Sequence, residues 1–262
     1  MEIGSQLLDE IISEYKNFPE VKAIAIGGTT SAKTSDNLSD IDVYVFVSED
    51  ISVDKRRAVV EKYSTKFEVG GEYFGAGDEY FVDGLNIQLD VMFWNVNWFS
   101  QVVDNVWVKN YPSNGYTTCF LYTLKNFNII FEEKEYLTNL KKKIDTPYPE
   151  RLKLNIIHRN MMLMYEKPFA SYYEQIEKAI KRNDINSINH RISAFLASYF
   201  DVIFAKNELL HPGEKRLIKF ANENCKILPL DFEKNIVNLL KQPNSETLQI
   251  LKIMVHNLQD II

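Results

Sequence analysis

Cysteine is scarce in this sequence, and its scarcity excludes two classes of small structural module. The two cysteines, Cys119 and Cys225, stand far apart, and neither belongs to a Cys-x-x-Cys or Cys/His spacing. A zinc site built on paired cysteines and a scaffold held by several disulfides are therefore excluded. The pattern is typical of a reducing compartment, and we expect each thiol to lie among apolar neighbours.

Long apolar runs are also missing from the sequence. The most apolar stretch, residues 195–205, contains Asp201 and is shorter than the roughly 20 residues that a membrane-spanning helix needs. The first residues, Met-Glu-Ile-Gly, have neither the basic start nor the apolar core of a signal peptide. We therefore expect a cytoplasmic protein with no membrane partner.

Positive charge is in deficit, with 30 lysines and arginines against 36 aspartates and glutamates and a net charge of −6. A protein dedicated to nucleic acid usually presents a basic stripe, so nucleic acid is not an expected partner. An acidic protein suits a cationic small molecule better. The apolar fraction of 45% is ordinary for a globular protein, and 262 residues are ample for a core.

Apolar spacing predicts strands and helices in the first half of the chain. β-rich runs occur at 21–26, 41–47, 66–74 and 80–93, with a hairpin signal at Asp83-Gly84 and a short edge strand at 128–131. Helical spacing occurs at 54–64, 97–107, 116–127 and 135–144, and a first helix could be capped by Ser5. This half therefore predicts a mixed sheet with helices.

The second half carries helical spacing alone. Two prolines in Thr146-Pro-Tyr-Pro149 mark the boundary, since proline interrupts regular structure. Beyond it, helices are predicted at 150–166, 169–182, 184–207, 213–224, 232–241 and 245–262. We therefore predict an α+β fold, with a mixed-sheet α/β head in residues 1–146 and an all-α helical bundle in residues 147–262.

A glycine pair and two aspartates flank one polar loop near the start of the chain. Gly27 and Gly28, followed by Thr29, end one apolar run, and Asp40 and Asp42 open the next. Glycines let backbone N–H groups approach an anion closely, and the threonine adds a hydroxyl donor. Side chains two residues apart in a strand share a face, so the two carboxylates could converge on a divalent cation.

A third carboxylate, Asp90, stands in the middle of an otherwise apolar strand. It shares a strand face with Gln88, Met92 and Trp94. A buried charge without a partner is costly, so a partner should exist. A metal ion shared with the two earlier aspartates would be one, and an ion pair with a lysine or arginine is the alternative.

The order Gly-Gly-Thr, a spacer, Asp-x-Asp and a later acidic strand resembles the nucleotidyltransferase superfamily related to DNA polymerase β. Within it, the chain is similar to the bacterial aminoglycoside and lincosamide nucleotidyltransferases, which also place a helical bundle after the catalytic head. The motif covers residues 27–46 and 86–93. Two residues depart from the pattern: Thr29 replaces the commoner serine and keeps its hydroxyl, and Lys33 stands where many members have glycine.

The resemblance implies a mechanism and assigns site residues. Asp40, Asp42 and Asp90 would be the catalytic carboxylates and the metal ligands, holding two Mg²⁺ ions; Asp90 could also act as the base. ATP would be the co-substrate, with Gly27, Gly28 and Thr29 on its phosphates. Lys215, predicted at the start of a helix, would reach the triphosphate, whereas the alternative for this lysine is an ordinary solvated helix face.

The function that follows is transfer of AMP from ATP to a hydroxyl group of a small molecule, with an aminoglycoside-like antibiotic as one candidate acceptor, and release of pyrophosphate. Two alternatives stay open. Some relatives transfer AMP to a tyrosine of a protein and neutralise a toxin, and a non-catalytic member would bind nucleotide or a partner protein. All three acids are present, which favours an enzyme. The sequence identifies neither the acceptor nor the oligomeric state.

Overall fold

The computed structural model describes residues 2–27, 40–73, 75–85, 87–166, 170–241 and 246–262. The chain divides into two compact units. We call Met1–Val103 with Thr123–Thr146 the head unit, and Asp104–Tyr122 with Pro147–Ile262 the helical unit. The chain passes from one unit to the other after Thr146, but residues 104–122 group with the helical unit although they precede that point. Two separate domains at 1–146 and 147–262 stay a prediction.

The described part of the head unit is built on a six-stranded mixed sheet. Its strands are β1 (Val21–Gly27), β2 (Ile41–Val47), β3 (Lys66–Gly71), β4 (Gly77–Val82), β5 (Ile87–Asn95) and β6 (Asn128–Glu132), in the order β3-β4-β5-β2-β1-β6. Strands β2 and β5 pair in parallel, and the other neighbours pair antiparallel. Helices of this unit are α1 (Glu2–Lys16), α2 (Val53–Val60), α3 (Val96–Val103) and α5 (Tyr136–Ile144). Together with the helical unit below, this sheet confirms the predicted α+β class.

The two faces of the sheet have different cover. One face presents aliphatic side chains of β2 and β5, and it forms a continuous core with Ile11 and Tyr15 of α1 and with Val59 and Val60 of α2. On the opposite face, Phe46 packs against Phe99 and Phe127, with ring centroids 5.2 and 5.7 Å away. Strand β2 is therefore buried on both faces along Val43–Val47, which explains its unbroken apolar sequence.

Most predicted elements of the head unit are confirmed, and their ends differ for local reasons. Helix α1 already begins at Glu2, so Ser5 lies inside it and is not its cap. The run at 66–74 ends as a strand at Gly71, because the register shifts after Val69 and Gly70 adopts φ +86°. The hairpin at Asp83-Gly84 is present, with φ +82° at the glycine, a conformation that glycine adopts without strain.

The described residues of the helical unit contain helices and no strands. The α-helices are α6 (Glu150–Met161), α7 (Tyr172–Lys181), α8 (Ile185–Lys206), α9 (Leu217–Asn224), α10 (Phe232–Leu240) and α11 (Thr247–Gln259), and the unit boundary falls within α4 (Cys119–Asn126). Two short π-helical segments, Asp104–Val108 and Met162–Glu166, also belong to this unit. Helix α8 packs against α6 and α7 and carries fully buried aromatic side chains at 195, 199 and 204. None of the helices in the described ranges has the length and apolarity to span a bilayer.

A buried polar cluster ties residues 113–118 to the helices of the same unit. The carboxylate of Asp201, on α8, accepts hydrogen bonds from the backbone N–H of Thr117 (3.0 Å) and from its hydroxyl (2.6 Å). The side-chain amide of Asn160, on α6, donates from Nδ2 to the same carboxylate at 3.1 Å. Oδ1 of this amide accepts a hydrogen bond from the backbone N–H of Gly115 at 3.0 Å. These contacts explain why the segment 104–122 belongs to this unit.

Candidate active site

Two of the three predicted catalytic carboxylates lie side by side on one face of the sheet. In the parallel pairing of β2 with β5, Asp42 is in register with Asp90. Adjacent strands are about 4.8 Å apart, and paired residues point to the same face. Asp40 precedes β2 by one residue and is exposed, while the other two aspartates are half-buried. The sheet thus brings Asp42 and Asp90 together, and Asp40 lies two residues before Asp42.

The donor set suits a hard divalent cation, because carboxylate oxygens are the ligands that Mg²⁺ prefers. Within the described ranges, however, no group of three His, Cys, Asp or Glu side chains converges closely enough to hold a metal ion. The backbone register of Asp42 and Asp90 is compatible with a shared ion. Side-chain rotation would have to complete the site, so the assignment of metal ligands stays a prediction.

The partner of Asp90 is a neutral side chain. Gln88, two residues earlier on β5, donates a hydrogen bond from Nε2 to Oδ1 of Asp90 at 3.0 Å. Among the described residues, no lysine or arginine forms an ion pair with this carboxylate. The described residues therefore contain no ion pair of Asp90, and no lysine or arginine among them cancels its charge.

Tyr44 lies next to the two aspartates on the same face of the sheet. It follows Asp42 on the same face of β2, and its ring packs against Trp94 and Phe127 with centroids 4.7 and 4.8 Å away. Burial raises the pKa of Tyr44 above its ordinary value, and the charges of Asp42 and Asp90 raise it further. The phenol therefore stays protonated at neutral pH. Trp94 belongs to this packed aromatic group.

Gly27 lies next to Asp42 in the antiparallel pairing of β1 with β2. A Cβ atom at this position would lie 2.5 Å from Cε2 of Tyr44 and 3.4 Å from a ring carbon of Phe127. The glycine is therefore required by close packing, and its predicted contact with phosphate comes in addition to that. Gly28, Thr29 and Lys33 lie outside the described residues.

The sequence reasoning missed two further carboxylates on the same face. Glu79 of β4 is in register with Asp90, and Glu68 of β3 is in register with Glu79. Partial desolvation raises the pKa of Glu79 above its ordinary value, and so do the charges of Asp90, Glu68 and Asp40. The hairpin at residues 83–84 could have located Glu79, because its two arms pair so that 82 meets 87 and 79 meets 90.

Lys215 belongs to the helical unit, and it lies before a helix and not at the start of one as predicted. Helix α9 begins at Leu217, and Lys215 is an exposed residue in the turn before it. The reason is Arg216, whose left-handed backbone (φ +55°) cannot continue a right-handed helix. A role for Lys215 toward the triphosphate stays a prediction.

Comparison with known proteins gives nucleotidyltransferase-like neighbours. The nucleotidyltransferase-like protein from Exiguobacterium sibiricum is 14% identical over 98% of this chain and 73% of its own, with a TM-score of 0.48. The STING-associated CdnE c-di-GMP synthase from Capnocytophaga granulosa is 14% identical over 98% and 78%, with a TM-score of 0.30. The family model of a domain of unknown function, DUF4037, matches residues 116–217, less than half of the chain. No curated protein matches the sequence. The argument for function therefore rests on the site.

Proposed function

We propose that this chain is a magnesium-dependent nucleotidyltransferase that moves AMP from ATP to a hydroxyl group of a small molecule. The observation that carries the proposal is the register of Asp42 and Asp90 on adjacent parallel strands, with Asp40 directly before the first of them. A set of carboxylates on one face of a sheet, next to a loop that begins with two glycines, is the donor set of a site that handles a triphosphate and its metal ions.

Each carboxylate has a role in this proposal. Bound Mg²⁺ would neutralise the charge of the phosphates and stabilise the entering and leaving oxygens. Asp40 and Asp42 would hold it on the triphosphate side, and Asp90 would lie on the acceptor side, as ligand or as acceptor of the hydroxyl proton. The hydroxyl oxygen bonds to the α-phosphorus, the bond from that phosphorus to the bridging oxygen breaks, and pyrophosphate leaves with the electron pair.

The triphosphate would be bound by the loop that follows β1. Gly27 ends that strand next to Asp42, so the chain leaves the sheet at the carboxylates. Backbone N–H groups at Gly27 and Gly28, with the hydroxyl of Thr29, would bind the β- and γ-phosphates. Positioning and charge neutralisation would supply most of the rate enhancement.

Four carboxylates lie in register across neighbouring strands, namely Asp42, Asp90, Glu79 and Glu68. This row favours an acceptor that carries amino groups as well as a hydroxyl. Glu79 lies one strand and Glu68 two strands beyond Asp90, at about 4.8 Å per strand. Neither glutamate is paired with a lysine or arginine in the part of the chain that the structure describes. Uncompensated negative charge attracts ammonium groups, so we propose an aminoglycoside-like polyol amine as acceptor.

The experiment measures pyrophosphate released from ATP and Mg²⁺ against a panel of aminoglycosides, lincosamides and neutral polyols. Asp42→Asn should lower turnover by at least about a hundredfold. Removing one group that stabilises the charge of the transition state raises the activation free energy by roughly 3 kcal/mol or more. Asp50→Asn, an exposed aspartate of the head unit, is the matched control and should react at the wild-type rate. Equal turnover in wild type and Asp42→Asn would contradict the proposal.

A further inference from the structure

Gln88 makes the hydrogen bond that fixes one oxygen of Asp90. The two residues share a face of β5 because they are two positions apart, and Nε2 of the amide lies 3.0 Å from Oδ1 of the carboxylate. An ionised carboxylate only accepts hydrogen bonds, so the amide nitrogen must face it. The opposite amide orientation would place two acceptor oxygens against each other.

A neutral donor has a different effect on Asp90 from a cationic one. A lysine or arginine at this distance would orient the carboxylate but would also neutralise it, and it would compete with a divalent ion for the same oxygens. An amide N–H restricts rotation of the carboxylate while leaving its net charge in place. Gln88 is half-buried, so water competes with this hydrogen bond less than at an open surface.

We propose that Gln88 is a positioning residue for the candidate metal site, acting through Asp90. The inference rests on the proposed function, since it assigns Gln88 to the same site. It orients the carboxylate so that the ion held by Asp42 and Asp90 meets an oxygen that is already aligned. The outer partners of metal ligands typically change metal affinity by about 10- to 100-fold when they are removed.

The test measures Mn²⁺ binding by electron paramagnetic resonance, without nucleotide or acceptor, so it does not depend on turnover. Gln88→Met keeps the length of the side chain and removes the donor, and it should weaken Mn²⁺ binding by about tenfold. Gln88→Lys should weaken it more, because its ammonium competes with the metal ion. The matched controls are Gln101→Met and Gln101→Lys, at an exposed position of α3, and they should bind as the wild type does.

Two results would overturn the proposal, and a third belongs to the function itself. Wild-type Mn²⁺ affinity in Gln88→Met, with Asp42→Asn weakened, would mean that Gln88 does not position the site. The melting temperature is measured for Gln88→Met, Gln88→Thr and Gln88→Lys as well. If the Mn²⁺ affinity of these variants falls in proportion to their melting temperature, the role of Gln88 is purely structural. Wild-type Mn²⁺ affinity in both Asp42→Asn and Asp90→Asn would instead refute the metal site, and with it the proposed function.

Discussion

At the level of single residues, Gly27 has a packing requirement as well as the proposed role in phosphate binding. The packing requirement is explicit, since a Cβ atom would lie 2.5 Å from Cε2 of Tyr44. The ring cannot easily move away, because Trp94 and Phe127 pack against it at 4.7 and 4.8 Å. A substitution here therefore affects the fold before it affects any ligand, and the two effects must be separated experimentally.

Gly27→Ala should destabilise the protein by about 1–3 kcal/mol, the usual cost of adding a methyl group to a packed interior. Urea unfolding, followed by circular dichroism, measures the change. In the double variant Gly27→Ala/Tyr44→Val the ring is absent, so the alanine should add little to the cost of Tyr44→Val alone. Additive costs in the two backgrounds would show that the clash is not the cause.

Sequence patterns predicted the candidate residues whose signals are local. Asp42 and Asp90 stand within apolar runs, where a carboxylate is unusual and therefore informative, and Asp40 directly precedes the first of these runs. Glu79 has no such local signal, because it follows another acidic residue, Asp78, in a polar stretch. Its place beside Asp90 depends on strand register, which is a property of the folded hairpin.

At the level of secondary-structure elements, the existence of a strand or helix was easier to predict than the residues at which it ends or the elements that it packs against. The runs at 41–47 and 87–93 show that two strands exist, but their parallel pairing depends on the order of the whole sheet. Helix ends depended on single backbone conformations, as at Arg216 (φ +55°) before α9. Amino-acid type gives little warning there, because arginine rarely adopts the left-handed region.

A buried ion pair joins α2 to strand β4, the neighbour of the edge strand β3. Nη1 of Arg56 donates to Oδ1 of Asp78 at 2.9 Å, and the side chains are 6% and 0% exposed. The N–H of Gly70 donates to the same oxygen, and the guanidinium lies over the Phe93 ring at 4.5 Å. Burial raises the pKa of Asp78 despite this N–H donor and the guanidinium, so desolvation outweighs the attraction. The pair therefore adds little net stability, but either partner alone is costly.

Asp78→Leu should destabilise the protein by about 3–5 kcal/mol, because it leaves the Arg56 guanidinium buried and unpaired. Arg56→Met should have a cost of similar size for the opposite reason. The double variant should be much more stable than the sum of the single costs predicts, since no charge then remains buried. Urea unfolding of the four proteins gives the coupling free energy, and a value near zero would contradict the argument.

At the level of the whole molecule, the path of the chain was the hardest feature to predict. Residues 104–122 group with the helical unit, although they precede Thr146 in sequence. Their attachment depends on contacts between residues far apart in the chain, such as Thr117 with Asp201 and Gly115 with Asn160. Asp201 was visible in the sequence as a lone acid in an apolar stretch, but its partners could not be read from local spacing.

Asp201 should make the stability of the protein depend on pH. It is 2% exposed, and burial raises its pKa to about 6, although the hydrogen bonds from Thr117 and Asn160 lower it. An unfolded aspartate has a pKa of about 3.9, so the folded protein binds more protons between these values. Stability from this group is therefore fully present below about pH 4 and is lost as the pH rises through about 6.

The variant Asp201→Asn removes this titration and serves as the reference for the wild type. As the pH rises from 4 to 6, the free energy of unfolding of the wild type should fall relative to that of the variant, and the difference should then level off. Urea unfolding at several pH values measures this, and the carboxyl ¹³C resonance of Asp201 should titrate near pH 6. Parallel stability curves, or a titration below pH 4, would contradict the raised pKa. In that case the hydrogen bonds from Thr117 and Asn160 would compensate the burial of the carboxylate in full.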